Sequence, residues 1–408
     1  MEINMKKIGL KEAIINYIFK KNFDVSFIFT LLARLKKIQI KEIIWLDEVN
    51  EKYVINSTER SKTCSVSPNF NGIQKETIND GCLYLYSLKD VIANVHSSNF
   101  TSKYLNNIYI ERVSTADIKY CNYSAGIMLG HNAEKAIIKK NNKIKTLNNI
   151  FFMGGNGAFN YYHWLIEIAP KILFLDSKFL DNLDYMVFSS DVKKIKSFEV
   201  ILDAFLKYKK NDLPILFIDP NIDLKVSNLF FINTFNNVVF NSVEKLSDVS
   251  FSHYHVESLK KVREILISEL GVREFKNTNK KIFLARGGDK IRGYNQSEII
   301  DFFKKENFQI VYLEQLSFND QIELFYNADF IVGPSGAAWA NLIFCKNNSK
   351  AISWLPENIR EFSVFSSLAS IFNCDMHFVE AETHSDLGIH SSYTIDLKLL
   401  REKYLLLN

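Results

Sequence analysis

Short apolar runs alternate with amphipathic segments in the carboxyl-terminal half of the chain. Four apolar runs bounded by turn residues are typical of buried strands: 281–285, 310–313, 330–332 and 351–354. The intervening segments carry helix start signals, because Asn295 is followed by Glu298 and Ser317 is followed by Asp320. Strand and helix alternating at this spacing predict right-handed crossovers, and therefore a parallel sheet with helices on both faces.

The amino-terminal half shows shorter apolar runs separated by turns. The runs that predict strands are 82–86, 108–113, 126–129, 136–138, 150–153, 185–188, 215–218 and 229–232, and helices are predicted at 195–208 and 253–270. A glycine loop at 154–157 precedes a helix that Asn160 can cap. Pro170 does not fit inside that helix and is predicted to start a second one that runs to Leu175.

Length and composition indicate a globular protein with two domains. A chain of 408 residues is long for one core, and we expect a first domain at 1–245 and a second at 246–408. The net charge of +4 is modest for this size, so a nucleic-acid partner is not expected. Five cysteines without a CxxC pair predict reduced thiols, as in a cytosolic protein.

The amino terminus carries no recognisable signal peptide, which together with the cysteines predicts a cytoplasmic location. The apolar stretch 23–35 is too short to span a membrane and contains Asp24. Basic residues flank its apolar residues 27–32, and a basic amphipathic helix of this kind can lie on anionic lipid; these residues are Lys20, Lys21, Arg34, Lys36, Lys37 and Lys41. The alternative is a helix that packs on its own domain with a solvated lysine face.

Positive charge and a small-residue turn follow neighbouring predicted strands. Arg286 comes directly after the first strand of the carboxyl-terminal unit, Arg292 lies in the loop that follows, and the turn 333–338 comes after the third strand. Parallel sheets bind ligands at the carboxyl ends of their strands. Guanidinium groups can fork onto phosphate oxygens while a turn into a helix points N–H groups at the same place. The sequence therefore predicts an anion site at this edge.

A second candidate site is the pair His163 and Glu167, four residues apart on one face of the helix that Asn160 caps. His163, with an ordinary pKa of about 6.5, can accept a proton while Glu167 orients the ring. The reverse assignment has Glu167 as the base, and a buried histidine paired with a carboxylate for stability alone is the structural alternative. The segment His253-Tyr254-His255 has metal-like spacing without a third ligand and is interpreted as surface.

These residues resemble the signature of glycosyltransferase family 61, which includes bacterial capsule and lipopolysaccharide transferases, plant xylosyltransferases and eukaryotic O-linked N-acetylglucosamine transferases. The residues that carry the resemblance are Tyr162, His163, Glu167, Arg286, Arg292, Asn295, Leu316, Ser317, Gln321, Ala328, Gly333, Pro334, Ser335, Gly336, Ala337, Asn341 and Phe344. Many members have His at the position of Ser335, whose hydroxyl can also donate a hydrogen bond.

The resemblance implies a GT-B fold, in which two Rossmann-like α/β domains face a central cleft. It implies His163 and Glu167 as catalytic residues on the acceptor side, within residues 1–245. Residues expected to bind the nucleotide sugar, in the second domain, are Arg286, Arg292, Asn295, Glu314, Gln321, Gly333, Ser335, Gly336, Ala337 and Asn341. No Asp-x-Asp motif is present, so neither a metal nor another cofactor is expected.

The function expected from this resemblance is inverting transfer of a sugar from a nucleotide donor to a bacterial capsule or lipopolysaccharide glycan. The acceptor would be a glycan or a lipid-linked oligosaccharide, reached at the cytoplasmic face of the inner membrane. Two alternatives remain at this stage. One is pyruvyl transfer to a polysaccharide on a similar frame, and the other is a non-catalytic protein that binds a nucleotide or a glycan within a capsule assembly complex.

Overall fold

The structure, a computed structural model, is a mixed α/β arrangement of several sheets and helices. It describes residues 38–55, 61–72, 74–111, 126–175, 182–210, 212–238, 249, 252–275, 280–287, 293–384 and 392–408. The strands are β1 Ile38–Trp45, β2 Lys52–Val54, β3 Ser61–Val66, β4 Glu76–Gly81, β5 Tyr84–Ala93, β6 Phe100–Ser102, β7 Asn107–Ile110, β8 Met128–His131, β9 Lys135–Lys139, β10 Lys143–Phe152, β11 Tyr185–Ser189, β12 Ile215–Ile218, β13 Ile222–Ile232, β14 Asn237–Val238, β15 Ser252–His255, β16 Lys280–Leu284, β17 Gln309–Val311, β18 Ala328–Val332, β19 Lys350–Pro356, β20 Asp375–Thr383 and β21 Tyr393–Ile395.

The α-helices are α1 Asp191–Lys194, α2 Lys196–Lys209, α3 Val256–Leu270, α4 Gln296–Lys305, α5 Phe318–Tyr326, α6 Val364–Ile371 and α7 Leu397–Leu407. A π-helical turn covers His163–Ile168, and 3-10 helices cover Leu46–Glu48, Ala169–Phe174, Leu313–Gln315, Ala337–Phe344 and Glu357–Ile359. No helix in the described ranges is long and apolar enough to cross a membrane. The basic segment proposed to contact lipid lies almost entirely within residues 1–37, outside the described residues.

The carboxyl-terminal sheet confirms the predicted alternation of strand and helix. Its strand order is β17-β16-β18-β19-β20-β21, and all neighbours are parallel except β20 and β21. After β16 the chain passes through α4 to β17 on one side, and it then crosses through α5 to β18 on the other side. The strand order therefore reverses between β16 and β18, and a reversal of this kind creates a crevice at the carboxyl ends of the two strands.

The two predicted helix starts in this unit behave differently. Ser317 accepts a hydrogen bond from the Asp320 N–H at 3.2 Å, so it caps α5 as predicted. Asn295 also directly precedes its helix, but its side chain makes no capping hydrogen bond. Its amide oxygen instead accepts from the Ile395 N–H at 2.9 Å, and its amide nitrogen donates to the Ile395 carbonyl at 3.0 Å. Asn295 therefore holds β21 against the start of α4.

The largest sheet has eleven strands and contains both parallel and antiparallel pairs. Strands β12, β11, β10 and β13 are parallel neighbours, and β13 then pairs antiparallel with β5. The remaining strands extend the sheet through β6, β7, β1, β9 and β8, while β2 pairs with β5. The predicted strands at 136–138, 150–153, 185–188, 215–218 and 229–232 all lie within or against observed strands. The run predicted at 82–86 belongs to a longer strand that ends at Ala93.

The interpretation of residues 253–255 as surface is wrong. They form most of β15, which pairs with β3 and β14, so the long helix starts at Val256 and not at residue 253. The Tyr254 side chain is 0% exposed. These residues form a strand because β15 pairs within a small sheet that packs on α3 and α6. A sequence pattern of three residues does not indicate contacts of this kind.

Helix α3 joins the two halves of the chain. It packs against α2, and Lys207 of α2 lies 2.5 Å from Glu269 in an ion pair. On the same helix, Arg263 donates to the carbonyl oxygens of Ile343 at 3.0 Å and Cys345 at 2.7 Å. A continuous apolar core includes buried side chains from both predicted domains. The boundary at residue 245 and the GT-B arrangement stay predictions.

Candidate functional site

The predicted His163 helix forms, but with a wider first turn than an α-helix. The Asn160 side-chain oxygen accepts from the Tyr162 N–H at 2.9 Å, and the π-helical turn His163–Ile168 follows. Pro170 lies in the first turn of the next helix, Ala169–Phe174, as the sequence predicts. Isolated π-helical turns occur frequently at functional sites, so the local backbone favours a functional role for this segment.

His163 and Glu167 are in direct contact. The Nδ1 atom of His163 lies 2.7 Å from Oε2 of Glu167, and the Glu167 residue is only 4% exposed. Burial acts to lower the pKa of His163, but the charge of Glu167 and its hydrogen bond outweigh burial, so the pKa is raised above its ordinary value. The carboxylate therefore fixes the orientation of the ring and stabilises its protonated form.

Gly157 supports the imidazole ring from the loop that follows β10. Its φ of +72° lies in the left-handed region, which glycine adopts at little cost. A Cβ at this position would lie 2.4 Å from Cδ2 of His163, closer than any real contact allows. The glycine loop predicted from sequence is thus the surface on which the His163 ring packs.

Lys171 extends the pair into a buried charge cluster that the sequence reasoning missed. Burial lowers the pKa of Lys171, while the charges of Glu111 and Glu167 oppose that shift. Burial likewise raises the pKa of Glu111, and Lys171 together with hydrogen bonds from Thr234 acts against the increase. The available signal was the repeated spacing of four residues, which places positions 163, 167 and 171 along one face of successive turns.

Two tyrosines at the start of this segment connect it to the rest of the fold. The hydroxyls of Tyr162 and Tyr254 share a hydrogen bond within the core. The Tyr161 hydroxyl donates to the side-chain oxygen of Asn341, which lies in the helix Ala337–Phe344 after the predicted anion-binding turn. The segment that carries His163 is therefore bonded directly to the segment that follows Ser335.

The second group of predicted residues meets at the strand reversal between β16 and β18. Arg286 follows β16, and its Nη2 donates to the carbonyl oxygen of Ser335, which follows β18. Its Nη1 donates to the Tyr393 hydroxyl at 3.3 Å. The Gln296 side chain holds the Arg286 backbone, accepting from its N–H at 2.8 Å and donating to its carbonyl at 3.0 Å. A positive charge is thus fixed between the two strand ends.

Three glycines near Arg286 have other atoms close to the position that a Cβ would occupy. A Cβ at Gly287 would lie 2.2 Å from Oε1 of Glu314, and a Cβ at Gly333 would lie 2.7 Å from Cβ of Leu284. At Gly336 a Cβ would lie 3.4 Å from Nη2 of Arg286, an ordinary contact distance, so the guanidinium lies beside this residue. Arg286, Glu314, Ser335 and Gly336 therefore lie close together.

The remaining predicted residues occupy other places. Gln321 donates to the carbonyl oxygens of Leu313 at 3.0 Å and Leu316 at 3.3 Å, and its oxygen lies 3.5 Å from the amide nitrogen of the buried Asn341. Ala337 begins the helix that contains Asn341. Asn295 holds β21, the strand that carries Tyr393, and Arg292 lies outside the described residues. Roles of these residues in nucleotide binding stay predictions.

Among the described residues, no three His, Cys, Asp or Glu side chains form a group that could hold a metal ion. The four cysteines that the structure describes, at positions 64, 82, 345 and 374, are free thiols.

Comparison with known proteins gives one family. Residues 161–352, just under half of the chain, match the family model described as Glycosyltransferase 61. The match begins at Tyr161 and ends in β19, so it contains both His163 with Glu167 and all of the predicted nucleotide-binding residues. No curated protein matches the chain. Residues 161–352 therefore match a glycosyltransferase family 61 domain, and the protein is a glycosyltransferase enzyme.

Proposed function

We propose that this enzyme transfers a sugar, with inversion and without a metal, from a nucleotide donor to the glycan of a bacterial capsule or lipopolysaccharide. The observation that carries the proposal is the position of Arg286, which bonds the Ser335 loop across the strand reversal between β16 and β18. Nucleotides bind at such reversals in open α/β sheets. The donor diphosphate would lie against this charge and the backbone N–H groups that follow Ser335.

The reaction needs a base for the acceptor hydroxyl and positive charge for the departing diphosphate. With Nδ1 of His163 bonded to Glu167, Nε2 is the ring nitrogen that would accept the proton. Glu167 would then stabilise the imidazolium as it forms. In the reverse assignment, Glu167 takes the proton and His163 binds the acceptor, and the two assignments predict opposite dependence on pH.

On the donor side, Arg286 would stabilise the diphosphate as negative charge grows on it during transfer. One preorganised donor of this kind commonly contributes about 3–4 kcal/mol of transition-state stabilisation. The sequence has no Asp-x-Asp platform for a divalent ion, which supports charge neutralisation by the protein itself. We propose that a GT-B-like cleft separates His163 and Glu167 from the residues around Arg286. We also propose that the enzyme is cytoplasmic and meets its acceptor at the inner membrane.

The decisive experiment is calorimetric titration of the purified protein with a panel of nucleoside diphosphates and nucleotide sugars. We expect micromolar binding of one diphosphate and a loss of affinity of about tenfold or more in Arg286→Ala, because a charge-assisted hydrogen bond contributes about 1.5–3 kcal/mol. The matched control is Arg401→Ala, which removes the same charge from an exposed position on α7.

Thermal unfolding of both variants separates loss of binding from loss of fold, since Arg286 also bonds Ser335 and Tyr393. Equal donor affinity in Arg286→Ala and the parent protein would remove Arg286 from the site. Binding of phosphoenolpyruvate in place of every nucleotide would instead point to pyruvyl transfer.

A further inference from the structure

A basic cavity is lined by residues of β1, β5, β6 and β9 in the large sheet. Its volume is about 140 Å³, which is smaller than the clefts that enclose a whole ligand and suits a single substituent with a few water molecules. Four lysines line this cavity, Lys41, Lys103, Lys139 and Lys140, together with the single carboxylate of Asp223.

Carboxylates in the cavity do not balance the positive charge of these lysines. Lys103 lies 3.0 Å from Asp90 in an ion pair, but Lys41, Lys139 and Lys140 have no carboxylate partner among the residues that the structure describes. Asp223 is buried and already accepts three hydrogen bonds, one from the Asn94 side chain and two from Asn141, each at 2.9 Å. Like charge therefore accumulates in a concave site, an arrangement that favours binding of an anion.

Lys41 shows the electrostatic consequence. Burial lowers its pKa, and the nearby positive charge of Lys140 lowers it further. Lys41 lies on β1 opposite Ala136 of β9, and Lys140 follows the end of β9. Both lysines line the same cavity, so their ammonium groups repel each other there, and an anion bound in the cavity would relieve that repulsion.

The cavity is connected to the His163 residue through two packed loops. Asn94 lines the cavity, and the carbonyl of the next residue, Val95, accepts from the Gly155 N–H at 3.1 Å. Ser98 donates from its N–H to the Asn156 side-chain oxygen at 3.2 Å, and Asn156 donates back to the Ser98 hydroxyl at 3.0 Å. The loop 154–157 ends at Gly157, against the imidazole ring.

We propose that this cavity binds an anionic substituent, a carboxylate or a phosphate, of the acceptor glycan and so makes the enzyme selective for acidic acceptors. The inference rests on the proposed function, because it assumes that the acceptor binds on the His163 side. The anion would accept hydrogen bonds from Lys41 and Lys140. The hydrogen-bonded loops 94–99 and 154–157 would fix the distance between the bound anion and the reacting hydroxyl near His163.

The first test uses inorganic phosphate as the probe and does not depend on catalysis. Calorimetry in the Arg286→Ala background excludes a contribution from the predicted nucleotide site. We expect phosphate binding to persist there and to weaken about tenfold or more when Lys41→Gln and Lys140→Gln are added. The control pair is Lys135→Gln with Lys145→Gln, which removes the same charge from exposed positions outside the cavity. Equal phosphate affinity in the cavity variant, or equal loss in the control, would refute the site.

The second test identifies the source of the anion. A hexuronic acid oligosaccharide should bind the parent protein, whereas the same oligosaccharide with its carboxyl groups reduced to alcohols should not, and the cavity variant should bind neither. Cavity-dependent binding to phosphatidylglycerol vesicles without binding of the oligosaccharide would overturn the glycan assignment. A negative nucleotide panel would contradict the proposed function and leave the phosphate result intact, so the two failures are distinguishable.

Discussion

The residues around His163 are fixed by burial and charge, whereas those around Arg286 are fixed by the topology of a sheet. In the first group, Glu167 is 4% exposed, contacts His163 at 2.7 Å and shares its surroundings with the buried Lys171. In the second, Arg286 reaches a backbone carbonyl in a half-buried loop at the strand reversal. The first arrangement shifts proton affinities, and the second places a lasting charge where an anion can approach.

The largest effect that this comparison predicts is on the His163 side. His163→Ala should lower turnover by about 10²–10⁴, the usual contribution of a positioned acid or base, and leave donor affinity unchanged. His377→Ala is the matched control, because His377 lies 2.9 Å from Asp375 in a similar pair outside residues 161–352. Turnover and donor affinity are measured on all three proteins. A His163→Ala enzyme with most of its activity would show that the pair is structural.

A smaller effect on turnover is expected at Gly157, whose backbone contacts the His163 imidazole. Gly157→Ala should reduce turnover by about tenfold or more because the added methyl displaces the imidazole, and misplacement by about 1 Å commonly has effects of that size. Gly271→Ala is the control, since Gly271 has a φ of +61° but nothing within 4 Å of an added Cβ.

Both glycine variants should lose about 1–2 kcal/mol of unfolding free energy from the left-handed backbone. Only Gly157→Ala should lose more than that, and only Gly157→Ala should lose activity. Similar activity in the two variants would mean that the ring tolerates displacement and that its position is not critical.

The same comparison explains what the sequence predicted and what it did not. Apolar runs ended by Gly287, Gly333 and Pro170 located strands and helix starts, because these residues act through local backbone geometry. The strand character of Tyr254 and the contact between Tyr161 and Asn341 depend on residues far apart in sequence, which periodicity does not encode. Arg286 could be named as a candidate from the sequence because it directly follows a predicted strand. Lys171 was not predicted, although it continues the four-residue spacing of His163 and Glu167.

The candidate residues could therefore be named from the sequence, but their hydrogen-bond partners could not. The sequence led us to expect Asn295 and Gln321 at the nucleotide, while in the structure their side chains bond the backbone of Ile395 and of the turn 313–316. An amide has donors and an acceptor that suit a backbone as well as a ligand. Residue type alone does not decide between the two.

The dependence of turnover on pH tests which residue takes the proton. If His163 is the base, it must be neutral, so turnover should rise with pH through a pKa that Glu167 raises above its ordinary value. In Glu167→Gln the charge is lost and burial remains, so the His163 pKa should fall and the rise should move to lower pH. Ring chemical shifts report this pKa directly in both proteins. If turnover instead falls as pH increases through the same pKa, the protonated ring is required and Glu167 is the base.

The smallest expected effect is that of a chelator, and it concerns the Arg286 side. If Arg286 and the N–H groups after Ser335 neutralise the diphosphate, turnover in EDTA should equal turnover with added Mg²⁺ or Mn²⁺, because a fixed guanidinium stays charged throughout the reaction. The informative control is Arg286→Ala assayed with and without Mg²⁺. Partial rescue by the ion would show that charge at the strand reversal is what the parent protein supplies. Strict dependence of the parent protein on a divalent ion would contradict the metal-free mechanism and leave Arg286 as a residue that orders the Ser335 loop.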